Sequence, residues 1–267
     1  MPDLDRELET ARGLALAAGA ILLRHRAGAV AVAHKARGEV VTAADVESDA
    51  AIRSGITAAF PDDVVFSEEA LDPPGREARP RLWIVDPLDG TSTFIAGGDA
   101  YAVSIGLAVE GEAVVGAVYV PARAQLFTGS RGRGVTLNGA PVRASDVTAL
   151  GAARVTVSPK ERDAAAARLG AARSVHPLAT MSHKLARVAA GLDDAAVSLK
   201  DRKEWGTCAG VALVLAAGGR ATHLDGRPIA FNRAELRQSG GLAAAGSERL
   251  HQALLAVLGR APIPGIA

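Results

Sequence analysis

The spacing of apolar residues changes twice along this chain, and each change predicts a different kind of structure. In residues 4–26, Leu4, Leu8, Leu14, Ala18, Ile21 and Leu22 recur near one face of a helix. Acids open that segment and Arg24, His25 and Arg26 close it, as the helix dipole favours. Gly28 ends it, and His25 reads as part of the solvated basic end. A short strand, Ala29 to Ala33, and a polar loop with Lys35, Arg37, Gly38 and Glu39 follow. Val40-Val41-Thr42 then leads into a second helix over about 44–60, with Asp45, Glu47 and Asp49 in its first turns and Pro61 as its stop. Val64-Val65-Phe66 is a brief strand ending in Ser67-Glu68-Glu69. Residues 72–81, rich in proline and arginine, read as a mobile surface loop. Trp83-Ile84-Val85 is the next apolar run.

From Tyr101 the spacing becomes that of long strands with tight turns. Residues 101–109 and 113–120 pair around Gly111-Glu112, 124–128 resumes after Pro121, and Val135-Thr136-Leu137 runs into Asn138-Gly139. This predicts an antiparallel sheet covered by the two N-terminal helices. From about Gly151 strands alternate with helices: strands at 155–157 and 195–199, an extended piece at 174–175, and helices at 161–169, 182–190 and 207–217, the last closed by Gly218-Gly219. The expected fold class is therefore a layered α+β and α/β sandwich. The change of pattern divides it into an N-terminal half, residues 1–150, and a C-terminal half, residues 151–267.

Composition narrows the functions such a fold can serve. Only 3% of the 267 residues are aromatic, so the core must be built from alanine, valine, leucine and isoleucine. Thirty basic and 29 acidic residues leave a formal charge of +1, with no electrostatic footprint for nucleic acid. Cys208 is the sole cysteine, which excludes an internal disulfide and suits a reducing compartment. No apolar run approaches the length of a membrane span. Leu14 to Leu23 is apolar enough for a signal peptide, but Asp3, Asp5, Glu7 and Glu9 precede it instead of a basic region. The expectation is a cytoplasmic protein without nucleic-acid or membrane partners; a homodimer is compatible with it.

Candidate chemistry concentrates in Asp86-Pro87-Leu88-Asp89-Gly90-Thr91, directly after the Trp83–Val85 run. Proline removes an N–H and biases Asp86 away from helix. Two carboxylates three residues apart on such a bend can converge on a hard cation, with a loop carbonyl as a further oxygen ligand. A helical turn over Ser92 to Ala96 would aim its first N–H groups at an anion. Taken alone, the same residues also fit a surface turn with solvated aspartates, Asp-Gly being a common turn pair. No G-x-G-x-x-G follows a strand, so a Rossmann-type nucleotide site is not indicated.

Three features then line up: Ser67-Glu68-Glu69, the hexapeptide from Asp86 to Thr91, and Glu204-Trp205-Gly206-Thr207-Cys208-Ala209-Gly210 opening a late helix. Together they resemble the signature of the inositol monophosphatase superfamily, magnesium-dependent and typically lithium-sensitive phosphomonoesterases. The likeness runs through nearly the whole chain, including Val41-Thr42-Ala43-Ala44-Asp45, residues 126–139 and Lys184 to Gly191. It looks most similar to the bacterial 3′(2′),5′-bisphosphate nucleotidase (CysQ-like) branch. The resemblance implies two or three Mg2+ ions: Glu68, Asp86 and the Leu88 carbonyl on one, Asp86 and Asp89 on a second. It also implies that Gly90 and Thr91 amides hold phosphate, and that the Thr91 hydroxyl, bonded to Asp45, orients the attacking water. Glu69 is either a solvated second acid or a water-mediated contact.

The third motif departs from the family pattern Trp-Asp-x-x-Ala-Gly, because Gly206 stands where the aspartate would be. That aspartate would be a ligand of the second metal, so the second ion is expected to bind weakly unless Asp201 or Glu204 replaces it. Glu204 is itself a family-like residue, expected to serve substrate recognition. Lys184 resembles the lysine that would meet a second phosphate in the nucleotidase branch, and equally fits a solvated helix lysine. Cys208 is expected to pack in the core. The implied partner is a small phosphorylated metabolite, with adenosine 3′,5′-bisphosphate ahead of inositol 1-phosphate. The rival reading is a catalytically weakened homologue that binds a phosphorylated ligand.

Overall fold

A computed structural model describes residues 4–28, 32–34 and 40–259. Its elements in chain order begin with helix α1 (Asp5–Arg26), strands β1 (Val32–His34) and β2 (Val40–Thr42), helix α2 (Ala43–Ala59), strands β3 (Val64–Ser67) and β4 (Arg81–Asp89), and helix α3 (Thr91–Ile95). A meander follows: β5 (Ala102–Val109), β6 (Glu112–Val120), β7 (Gln125–Ser130), β8 (Gly134–Leu137) and β9 (Ala140–Val142). The second half contains β10 (Arg154–Val157), α4 (Arg162–Arg168), β11 (Ser174–Pro177), α5 (Met181–Ala189), β12 (Ala195–Ser198) and β13 (Arg202–Lys203). It ends with α6 (Cys208–Ala216), β14 (Arg220–Thr222), β15 (Arg237–Gln238), β16 (Leu242–Ala245) and α7 (Glu248–Leu258). Of the expected strand over 29–33, residues 29–31 lie outside the described residues, as does the loop 35–39.

Strands β3 to β9 form one sheet in sequence order, antiparallel except for the parallel β3–β4 pair. Period-two alternation divides β4 between two cores. Trp83 and Val85 pack with Ala11, Ala15, Ala18 and Leu22 of α1 and with Ile52 and Ile56 of α2. Leu82 and Ile84 join the other face, with Leu185, Ala186 and Val188 of α5 and Ala209 and Leu213 of α6. A second, mixed sheet, ordered β11-β10-β12-β16-β14, covers the far side of those two helices through Ala196, Leu242 and Ala244. Its outer face carries Val197, Ala243 and Ala245 against Leu250 and Leu254 of α7. The layers therefore run helix, sheet, helix, sheet, helix, which is the expected layered sandwich.

Three details differ from the pattern reading. The first turn of the meander sits one residue earlier, at Glu110-Gly111, where both φ angles are positive (50° and 77°). The connection expected to be a mobile surface loop is instead pinned by Arg76. That side chain is fully buried and bonds Asp72 (2.5 Å), Asn232 (3.1 Å) and the Arg233 carbonyl (2.8 Å). Beyond Gly219, where the pattern reading stops, the chain still supplies two strands and a helix to the second sheet layer.

The α6 helix meets the first sheet with almost no side chain between them. A Cβ at Gly116 of β6 would lie 2.2 Å from the Ala209 carbonyl oxygen, and one at Gly106 of β5 would lie 2.7 Å from Cys208 Sγ. Cys208 is fully buried at this contact, in the packing role expected of it, and burial pushes its thiol pKa well up.

Candidate active site

The parallel pairing of β3 with β4 sets Ser67 opposite Val85, so the next residues, Glu68 and Asp86, emerge side by side. The Glu68 amide extends the pairing by donating to the Val85 carbonyl (3.1 Å). Further along β4, Asp86 pairs with Ser104 but Asp89 pairs with Ala102, so β4 carries one residue more than β5 over this stretch. In a regular strand, residues three apart point to opposite faces; the bulge at Pro87-Leu88 reverses that for Asp86 and Asp89. Both then line one hollow of about 250 Å³ with Glu68, Leu88, Thr91 and Gly206. The strand thus continues past the bend at Asp86 and ends at Asp89.

Gly90 turns the chain out of β4 with φ 95°, a left-handed conformation that glycine adopts without strain. A Cβ there would also lie 2.5 Å from Thr180 Cγ2. Helix α3 starts at the next residue, so its first-turn N–H groups have no partner within the helix. Asp45 reaches the same place from the start of α2. Thr42 caps that helix, and Asp45 Oδ2 accepts from the Thr42 amide (2.8 Å) and hydroxyl (2.6 Å). The acid placed near the start of α2 is therefore a member of a capping box, yet its Oδ1 lies 3.3 Å from Thr91 Oγ1. That hydroxyl is also 3.1 Å from the Leu88 carbonyl, two acceptors for a single hydrogen.

Electrostatics single out this corner. Asp86 is 3% exposed, and burial and the neighbouring Glu68 and Asp89 charges hold its pKa well above the usual carboxylate range. The Glu68 side chain beside it adds to that upward shift, two acids standing next to each other. Asp89 is raised by burial too, but two bonds from Ser182 at the start of α5, from the amide (2.9 Å) and hydroxyl (2.6 Å), favour its charged form. Burial likewise raises Asp45. Among the described residues no three such side chains are drawn into a closed metal-ligand cluster. The donor set nevertheless fits a hard cation: all-oxygen, carboxylate-rich, half-buried or buried, and mutually repulsive without a counter-charge.

The expected residues from the second half are placed differently. Glu204 does not line the hollow. It is fully buried, and its two oxygens accept the Asn232 and Arg233 amides (2.9 Å each), so it anchors that segment. Lys184 is not solvated, and it lines neither this hollow nor the one beside it. It is fully buried beneath the cleft and donates to Ser158 Oγ (2.7 Å). Burial, then the Arg202 charge, lower its pKa to about 7. Gly206 does line the hollow, outside the positive-φ region, and a Cβ there would meet nothing within 4 Å. Neither of the two expected substitutes replaces the missing carboxylate, since Asp201 is exposed and accepts the Gly240 amide (3.1 Å) while Glu204 is engaged as described.

An adjoining hollow of about 650 Å³ shares Glu68, Gly90, Thr91 and Arg202 with the first and extends to Ser158, Lys160 and Lys200. No local pattern of residues marks Ser158, Glu161, Ser182 or Arg202 as part of a site. Glu161, 1% exposed, accepts the Leu199 (2.8 Å) and Lys200 (2.9 Å) amides and an Arg202 guanidinium N–H (2.7 Å). These partners lie about forty residues apart, too far for any local spacing signal.

Comparison with known proteins agrees with this geometry. The inositol monophosphatase family model matches residues 3–261. A histidinol-phosphatase of Chlorobaculum parvum is 38% identical over 181 residues, 68% of this chain but only 61% of that protein's length. A fructose-1,6-bisphosphatase/inositol-1-monophosphatase of Aquifex aeolicus is 32% identical over 242 residues, covering 86% of this chain and 89% of that one. The structure of an inositol monophosphatase from Anabaena superposes with a TM-score of 0.84 at 29% identity, covering 98% of this chain and 99% of its own. No described helix is long and apolar enough to cross a membrane. The match over nearly the full chain, with the Asp86–Thr91 hexapeptide at the centre of the fold, establishes that this chain belongs to the inositol monophosphatase family, phosphatases acting on phosphoric monoesters and generally dependent on magnesium.

Proposed function

We propose that this protein hydrolyses a small metabolite carrying a second anionic group beside the phosphoester, with adenosine 3′,5′-bisphosphate, giving AMP and phosphate, as the favoured substrate. The observation that carries the reading is the polarity of the cleft. Asp86 and Asp89 line only the first hollow, with Lys203, and Lys160 and Lys200 line only the second, with Glu161, while Glu68 and Arg202 are common to both. Glu68, Asp86, the Leu88 carbonyl and Asp89 would hold magnesium. Bound there, it would neutralise phosphate charge and lower the pKa of an attacking water. The amides of Gly90 and Thr91 bind phosphate oxygens at the start of α3. The Thr91 hydroxyl, between Asp45 and the Leu88 carbonyl, orients the water.

Gly206 supports a second reading, a weakened enzyme that mainly binds its phosphorylated ligand. Without a side chain at 206 the acidic end has one anionic ligand fewer, and magnesium, which gives up its waters reluctantly, is held less tightly. Phosphate release from adenosine 3′,5′-bisphosphate, inositol 1-phosphate and fructose 1,6-bisphosphate, at saturating magnesium, tests both. Fastest release from the adenosine bisphosphate supports the first reading. Faster release from inositol 1-phosphate overturns the nucleotide assignment. Ligand binding with no release from any substrate favours the second.

A further inference from the structure

The basic end of the cleft contains one group held far more rigidly than its neighbours. Lys160 and Lys200 are exposed and have no side-chain partner among the described residues. Arg202 is clamped on three sides. Its Nε donates to Ser198 Oγ (2.6 Å), and its Nη2 donates to Ser158 Oγ (3.0 Å) and Glu161 Oε2 (2.7 Å). The clamp is itself secured, because Glu161 Oε1 accepts the Leu199 and Lys200 amides and Ser158 Oγ accepts from buried Lys184. One nitrogen, Nη1, has no protein partner among the described residues, and the side chain is 25% exposed. Arg202 lines both hollows, so it stands where the acidic end gives way to the basic one.

We infer that Arg202 is the specificity-determining residue of the cleft, its Nη1 edge binding the second anionic group of the substrate, a phosphate ester, while the first lies at Asp86 and Asp89. The physical argument is preorganisation. An arginine free in solvent must give up side-chain entropy to bind an anion, and this one is already ordered by its three anchors. Glu161 offsets part of the positive charge, so Arg202 selects more by directed N–H groups than by net charge. The serine hydroxyl adds to that selectivity. With its oxygen accepting from both Lys184 and Arg202, the Ser158 proton remains to be donated into the cleft it lines.

This inference rests on the proposed substrate class, and the test separates the two. Steady-state kinetics of the wild type, Arg202→Gln and Arg202→Lys would be compared on adenosine 3′,5′-bisphosphate and on adenosine 3′-monophosphate, which lacks the second phosphate. Calorimetric binding of AMP, which retains only that phosphate, would be measured alongside. Loss of a charge-assisted hydrogen bond predicts a KM for the bisphosphate raised roughly 10- to 100-fold in Arg202→Gln. The kcat should be nearly unchanged, the monophosphate unaffected and AMP binding weakened by a similar factor. Arg202→Lys should recover only a small part, since a lysine cannot satisfy the Ser198, Ser158 and Glu161 anchors together. Equal loss on both substrates would overturn the inference and assign Arg202 to the reacting phosphate, leaving the proposed function standing. A wild type that hydrolyses neither substrate would overturn the proposed function, and AMP binding that differs between wild type and Arg202→Gln would still support the subsite. Identical AMP binding by the two proteins, with unfolding midpoints matched, would overturn the subsite itself.

Discussion

The two ends of the cleft are built by different means. The acidic end is a product of backbone register: parallel pairing puts Glu68 beside Asp86, and one bulge brings Asp89 to the same side. The basic end is a product of side chains reaching across long sequence separations, Arg202 to Glu161 and Ser158, and Lys184 to Ser158. A register-built site survives changes at single side chains because the backbone still presents the rest. A side-chain network loses geometry with each member removed. The acidic end should therefore fail only when a reacting group is deleted, whereas the basic end should lose selectivity by degrees.

The most severe test of that contrast is Asp86→Asn. It removes the carboxylate common to both expected metal positions, so phosphate release should be abolished. It also relieves like-charge repulsion in a buried site, so the thermal midpoint should hold or rise. Near-normal phosphate release by the variant would break the assignment. Thr91→Ala should lower kcat by roughly two to four orders of magnitude, the range for loss of acid–base assistance, with magnesium affinity kept. Calorimetry showing magnesium binding lost instead would make Thr91 part of the ligand set.

Gly206→Asp sharpens the comparison by adding to the acidic end. The backbone there is outside the positive-φ region and a Cβ meets open space, so the protein should fold normally. A restored ligand worth one charge-assisted contact predicts magnesium half-saturation lowered by about tenfold, with kcat raised. Unchanged magnesium dependence would remove Gly206 from the metal environment.

The smallest effect concerns stability below neutral pH. His183 in α5 is fully buried, neither ring nitrogen has a hydrogen-bond partner among the described residues, and burial lowers its pKa to about 3 from 6.5. The unfolded chain takes up this proton below pH 6.5 and the folded one does not until about 3. Stability is therefore lost as pH falls through that interval. His183→Phe should flatten the dependence of unfolding free energy on pH there by one proton, leaving neutral-pH kinetics unchanged. An unaltered slope would mean that the imidazole finds a partner in solution.

The same division explains what could be read from residues alone. Glu68, Asp86 and Asp89 were legible because strand ends and an X-Pro bend are local features, and a strand pair a few residues wide carries all three. Gly206 was legible as a departure from a fixed pattern. Lys184 is buried and not the solvated lysine that one alternative expected, because sequence spacing says which residues share a helix face but not what packs over that face. The anchoring contacts of Glu204 were hidden for the same reason: its partners, Asn232 and Arg233, arrive from a segment with no regular period. The buried Arg76 inside an apparent surface loop belongs with these. In each case a polar residue was read as facing solvent or ligand when it faces another part of the chain.

The glycines at 106 and 116 give the contact between α6 and the sheet a further significance. The helix that follows Gly206 and the sheet that carries Asp86 touch backbone to backbone, so they act as the fixed jaws of a calliper. A methyl group at 116 would have to displace the helix on the order of an ångström to reach ordinary van der Waals separation. The width of the cleft is thus gauged by two absent side chains on the far side of the strands from α1 and α2, in positions that line neither hollow.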